Sequence, residues 1–123
     1  MADAVQSFGI TIVGNHPQFT VFNHQLPLCT VERILITWPP GCAGLVQVIV
    51  LAGGNFAYPS VNGQAFEFDD YTLDIAVGNP LNSGQWGAMV NNTDVIPHQV
   101  HVTYFYNYWV LQNSGQSSQP VSL

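Results

Sequence analysis

The chain has 123 residues, a net charge of −6, and Arg33 as its only basic residue apart from four histidines. Phosphate binding needs several cations, so this balance excludes a nucleic-acid partner and a basic membrane-surface helix. Charged residues make up 7% of the chain, against roughly 25% in an ordinary soluble domain, which suits a protein that works inside an assembly or outside cells.

At 47% apolar, a chain of this size buries one real core and reads as one domain. No apolar run approaches the roughly 18 residues of a membrane-spanning helix. The segment Met1–Ser7 lacks a basic start and a long apolar stretch, so it does not read as a secretory signal.

Residues 1–17 read as an N-terminal arm in which 8–13, FGITIV, is a short strand cut off by Gly14 and Pro17. Residues 19–26 alternate, with Phe19, Val21 and Asn23 on one side and Thr20, Phe22 and His24 on the other. The stretch 32–51, ERILITWPPGCAGLVQVIVL, reads as two strands, 32–38 and 45–51, joined as a hairpin through Trp38-Pro39-Pro40-Gly41. The second strand is apolar on both faces except at Gln47, the mark of a central strand. Trp38 is expected as a lid on the end of the core rather than as a ligand platform.

Further strands are expected over 65–68, 71–77, 85–90 and 100–111, with turns at Asn62-Gly63, Asp69-Asp70, 78–84 and 91–94. In the last strand Val100, Val102, Tyr104, Tyr106 and Tyr108 share one face. Residues 112–123 are a polar tail. About eight strands with no helical period predict an all-β fold, a single β-sandwich of jelly-roll or Greek-key type spanning 18–111.

Candidate chemistry is sparse. If 32–38 and 45–51 form a hairpin, Cys42 sits at its turn and Cys29 about 30 Å away at strand rise. A disulfide requires Cα atoms within about 7 Å, so two free, buried thiols are expected. A Cys29 nucleophile with His24 or His101 as base has nothing in the sequence to bring it together. His98 and His101 point to opposite faces of a strand, and the H-x-H pair of a strand-borne metal site is absent, so no metal or other cofactor is expected. Glu67, Asp69, Asp70 and Asp74 form an acidic cluster that reads either as a solvated turn or as calcium ligands. Asn91-Asn92-Thr93 matches a glycosylation acceptor but reads as a turn.

The aromatic run from Tyr104 to Trp109 is the interaction signal. Both of its faces are aromatic; one face belongs to the core and the other is left for a partner. The expected interface residues are Phe8, Ile10, Ile12, Tyr104, Tyr106, Tyr108 and Trp109.

A small all-β chain with almost no charge, an intact start, a strand-bearing arm and no active-site motif resembles the decoration, or cement, proteins of phage and other viral capsids. The resemblance lies in composition and architecture and carries over no residue. It implies a non-enzymatic structural subunit of the virion, assembled in the host cytoplasm. Such a subunit acts as a homotrimer and clamps a major capsid protein, its arm adding a strand to a neighbour's sheet. It has no nucleic-acid or membrane partner. The alternative is a carbohydrate-binding, lectin-like module that stacks sugars on Trp38, Tyr58 and Trp86, with calcium near Asp69 or Asp70.

Overall fold

The chain folds back on itself about its middle, and each strand of the first half pairs with a strand of the second half in mirror order. The structure is a computed structural model and describes residues 4–27, 29–53, 55–59, 64–77 and 85–108. Nine strands lie among these residues: β1 (Ala4–Ile12), β2 (His16–Gln25), β3 (Cys29–Trp38), β4 (Val46–Ala52), β5 (Asn55–Tyr58), β6 (Phe66–Glu67), β7 (Tyr71–Ala76), β8 (Gln85–Asn92) and β9 (His98–Tyr108). The nested antiparallel pairs are β1 with β9, β2 with β8, β3 with β7, and β4 with β5 and β6.

The pairs are shared between two sheets. The first runs β1-β9-β3-β7; the second runs β2-β8-β4-β5, with β6 also on β4. This is the strand order of a jelly roll, and the expected β-sandwich is the fold.

Each sheet turns one face inward. The first supplies Ile10, Ile12, Val31, Ile34, Ile36, Val100 and Val102; the second supplies Val46, Val48, Val50, Ala88 and Val90, all buried. β-Branched side chains fill a pleated face well because their χ1 is already restricted. β4 lies inside its sheet, and its outward Ile49 and Leu51 are buried as well, which explains why its run is apolar on both faces from Val48 onward.

Along β3 the inward positions change from odd to even, with Val31 facing the core before Glu32 and Arg33, and Ile34 after them. A register shift against β9 lies between Val31 and Arg33. Such a bulge inserts one residue and resets the alternation. It keeps Ile34, Ile36 and Trp38 inside.

Two expectations change. Strands β3 and β4 do not form a hairpin; they belong to different sheets, and 39–45 carries the chain between them. Both are interior strands whose edges are taken by the second half of the chain. The crossing is fixed by Trp38 Nε1 donating to the Val46 carbonyl at 3.0 Å and by left-handed backbone at Gly41, Ala43 and Gly44. Cys29 and Cys42 are nonetheless buried and form no disulfide, at opposite ends of β3.

Nor does 1–17 form an arm. Its described part is β1, paired along its length with β9, followed by the start of β2. Gly14 and Asn15 make a corner between the sheets. Asn15 has a φ of 55°, and a side chain at Gly14 would meet the Val95 carbonyl oxygen at 2.3 Å. The residues of the expected C-terminal tail, 112–123, lie outside those described.

Candidate functional site

The same alternation that builds the core decides which side chains a partner can reach. Ile10, Ile12, Tyr104 and Tyr106 point inward and are buried, so the sequence-based interface assignment is wrong for them. Phe8 is half-buried and stacks flat on His24, ring centroids 4.2 Å apart. Tyr108 is exposed at the end of β9, and Trp109 lies outside the described residues. The outer face of β9 carries His101, Thr103, Phe105 and Asn107, so it is less aromatic than expected. Phe105 is half-buried, with the Arg33 guanidinium 5.0 Å from its ring centre.

Other candidates are also committed elsewhere. Trp38 and Trp86 are buried and not available to stack a sugar. Asp69 Oδ1 accepts from the Gly41 and Ala43 amides, Glu67 from Gln47, and Asp74 holds Arg33 through two hydrogen bonds of 2.9 Å. The Arg33 hydrogen bond holds the Asp74 carboxyl below its ordinary range. Among the described residues no three of His, Cys, Asp and Glu are grouped as metal ligands. Burial pushes both thiols up, Cys42 further beside Asp69 and Asp94, which leaves them poor nucleophiles. His24 and Cys29 face the core, whereas His101 faces outward.

Two surface features remain, at opposite ends of the sandwich. The first is an apolar loop end. Nine large hydrophobic side chains are exposed among the described residues, and six of them sit at this end: Val13, Leu45, Phe68, Tyr71, Val95 and Ile96. Val95 is 72% exposed and Val13 62%. Scattered exposed hydrophobics need no explanation, but a cluster does.

These loops are held firmly from beneath. Asn92, fully buried, donates to the carbonyls of Ile12, Val13 and Ile96 at 3.3, 3.2 and 2.8 Å, and its Oδ1 accepts from the Asp94 amide. Thr93 donates to the Leu45 carbonyl through both backbone and hydroxyl. Asp94 takes the Val95 amide and His98 Nε2, both at 2.7 Å, and the His98 hydrogen bond holds its carboxyl below the ordinary range. Asn91 and Asn92 end β8 rather than forming a free turn, and both are buried. The sequence signal for this end was the pair Val95-Ile96, placed between polar residues and Pro97.

The second feature is an open groove of about 560 Å³ on the outer face of the second sheet. Val21, Leu51 and Met89 give it apolar surface; Asn23, Gln25 and Gln85 give it amides. Among the described residues that line it, none has an ionisable side chain. Gly87 lies between Asn23 and Leu51 in register and leaves its row without a side chain. A Cβ at Gly87 would meet the Phe22 carbonyl oxygen at 2.6 Å, so the close approach of β2 and β8 requires glycine.

No protein-family model and no curated protein matches the chain. Among solved structures it is similar to the crystal structure of FLHE, with 7% identity and a TM-score of 0.41 over 85% of this chain and 98% of that one. That likeness is too slight to carry a functional argument.

Proposed function

We propose that this chain is a non-enzymatic structural subunit, a decoration or cement protein that stabilises a viral shell as a homotrimer seated on a major capsid protein. The observation that carries this reading is the apolar loop end. Its side chains face water while the backbone beneath them is fixed by Asn92, Thr93 and Asp94. Surfaces prepared in this way lose little freedom when they bind.

Strand β1 supports the same reading. It is an edge strand of nine residues with no charge, no proline and no break in register, a template for strand addition by a neighbour. The jelly-roll order is shared by capsid and lectin domains, a likeness of fold and not of site.

Native mass spectrometry across a concentration series tests the proposal, with a trimer as the expected species. A chain that stays monomeric at high concentration and binds no capsid lattice would end it. The groove favours a second reading, a carbohydrate-binding module, because its amides match sugar hydroxyls in donor and acceptor character. Glycan-array binding that Asn23→Ala abolishes would promote that reading.

A further inference from the structure

We propose that His24 is an acid-released latch: its uncharged ring holds the first half of β1 against the second sheet, and a proton on it frees residues 4–8 while the corner end of β1 stays in place. The latch belongs to a single chain and does not depend on assembly.

Its position in the fold carries the idea. β1 and β2 are edge strands of different sheets and lie on the same side of the sandwich. The backbone of β1 pairs with β9 and that of β2 with β8, and among the described residues no backbone hydrogen bond joins β1 to β2. The seam between them is closed by side chains. At the corner end the Asn92 amide holds the carbonyls of Ile12 and Val13. At the other end the Phe8 ring lies flat on the His24 ring, with 4.2 Å between centroids and 6° between planes.

The two halves of β1 are held unequally. Its inward residues are fully buried at Ile10 and Ile12 but only half-buried at Ala4, Gln6 and Phe8. On the other side of the seam His24 is followed by Leu26, which is fully buried. Residues 4–8 are therefore the part that can lift away without the rest, as weakly packed segments do.

The site has no place for a positive charge. The ring meets Phe8 from β1, the Tyr104 hydroxyl from β9 at 2.8 Å, and Trp86 across from it in register on β8. Of these only Tyr104 titrates, and burial raises it, so it stays neutral. Cys29 and Tyr106, buried at the same end, are raised by burial as well. β1 carries no charged residue, and no described carboxylate touches the ring. A cation over the Phe8 face regains only part of the hydration it gives up. Opening gives the imidazolium back to water. The open ring takes a proton near pH 6.5 and the closed ring only near pH 4, so opening becomes about a hundredfold more favourable from pH 7 to pH 4.

Amide exchange by NMR tests the latch, with rates expressed as protection factors so that the chemical effect of pH cancels. From pH 7 to pH 4, protection at 5–8 is expected to fall about a hundredfold. The exchange seen there at pH 4 should not respond to low urea, the mark of a small opening. Amides at 10–12, and those of Val48 and Val50 in β4, should be better protected at both pH values and respond to urea. His24→Gln cannot take up the proton and should remove the pH dependence at 5–8; His24→Phe replaces it if the glutamine variant does not fold. Protection at 5–8 that is flat from pH 7 to pH 4, or that falls as far in the variant as in the wild type, overturns the latch. So does a single urea dependence shared by 5–8, Val48 and Val50, because β1 then opens only with the whole fold.

Discussion

Asn92 and His24 are both buried polar side chains, one near each end of the sandwich, and they are satisfied in different ways. Asn92 shares two N–H donors among three carbonyls and accepts a backbone amide in return. His24 is 3% exposed, packs between the rings of Phe8 and Tyr104, and makes one hydrogen bond, from Nδ1 to the Tyr104 hydroxyl at 2.8 Å. Trp86 leans on Tyr104 edge-on, 5.7 Å between ring centres. The amide is neutral at every pH and works as a pin for loops. The imidazole has to stay neutral to remain where it is. Burial lowers its pKa to about 4 and raises that of the Tyr104 hydroxyl. One buried polar group is thus a neutral pin whose own hydrogen bonds do not titrate, and the other is a group that responds to pH.

The largest break in this contrast comes from Tyr104→Ala. It removes a fully buried ring that touches Phe8, His24 and Trp86, and a loss of about 3–5 kcal/mol is expected from urea melts. An exposed Tyr104, with a loss within the range of surface substitutions, would place the aromatic cluster outside the core.

Acidification is next. The unfolded chain takes up a proton on His24 near pH 6.5, and the folded chain does so only near pH 4. Stability from this residue is therefore whole above pH 6.5, falls as the pH drops to about 4, and is level below that. The loss across this window is about 3 kcal/mol at 1.36 kcal/mol per pKa unit. Urea melts at a series of pH values should show it, and His24→Gln should flatten that window. A wild-type profile already flat between pH 6.5 and 4 contradicts the buried, neutral imidazole.

Asn92→Ala sharpens the comparison from the other end. It strands carbonyls that the amide served, and about 1–3 kcal/mol is expected, with the same cost at pH 7 and pH 5. Faster hydrogen exchange at 13–15 and 94–96 should accompany it. A cost that changes steeply with pH would show that the loop end also depends on a titrating group.

The smallest effect is expected at Arg33→Ala. The Arg33–Asp74 pair lies on the outer face of the first sheet with both side chains about half exposed, and such pairs contribute little. No shift in melting temperature beyond experimental error is expected. A clear drop would mean that the outer face of that sheet is better shielded from solvent than the exposure of these two residues suggests.

Strand identity was legible in the chain because alternation is local. Phe22 and His24 against Val21 and Asn23, or Val100, Val102 and Tyr104 on one face of β9, show their two faces within a few residues. The expected all-β sandwich and the buried Trp38 follow from such patterns, whereas the absence of a Cys29–Cys42 disulfide was expected from a hairpin that does not form and holds because the two lie at opposite ends of β3. Pairing was not legible. A strand's backbone donors and acceptors look alike to every candidate partner, and here β1 meets β9 across about ninety residues of sequence. So β3 and β4, neighbours along the chain, have the local pattern of a hairpin although they lie in opposite sheets, and β1 has that of an arm although it is an edge strand.

The candidate surfaces divide in the same way. Val95-Ile96 is visible as an apolar pair in a polar setting, but only the fold brings Val13 and Leu45 beside it and puts Asn92 beneath. The groove left no mark in the sequence, because Val21, Gly87 and Leu51 become neighbours only once β2, β8 and β4 are in register. Composition and alternation determined that this chain forms strands around one core. Which tyrosines lie inside, which loops meet and where the surface is concave were decided by long-range pairing, since burial depends on what the opposite sheet places against each side chain.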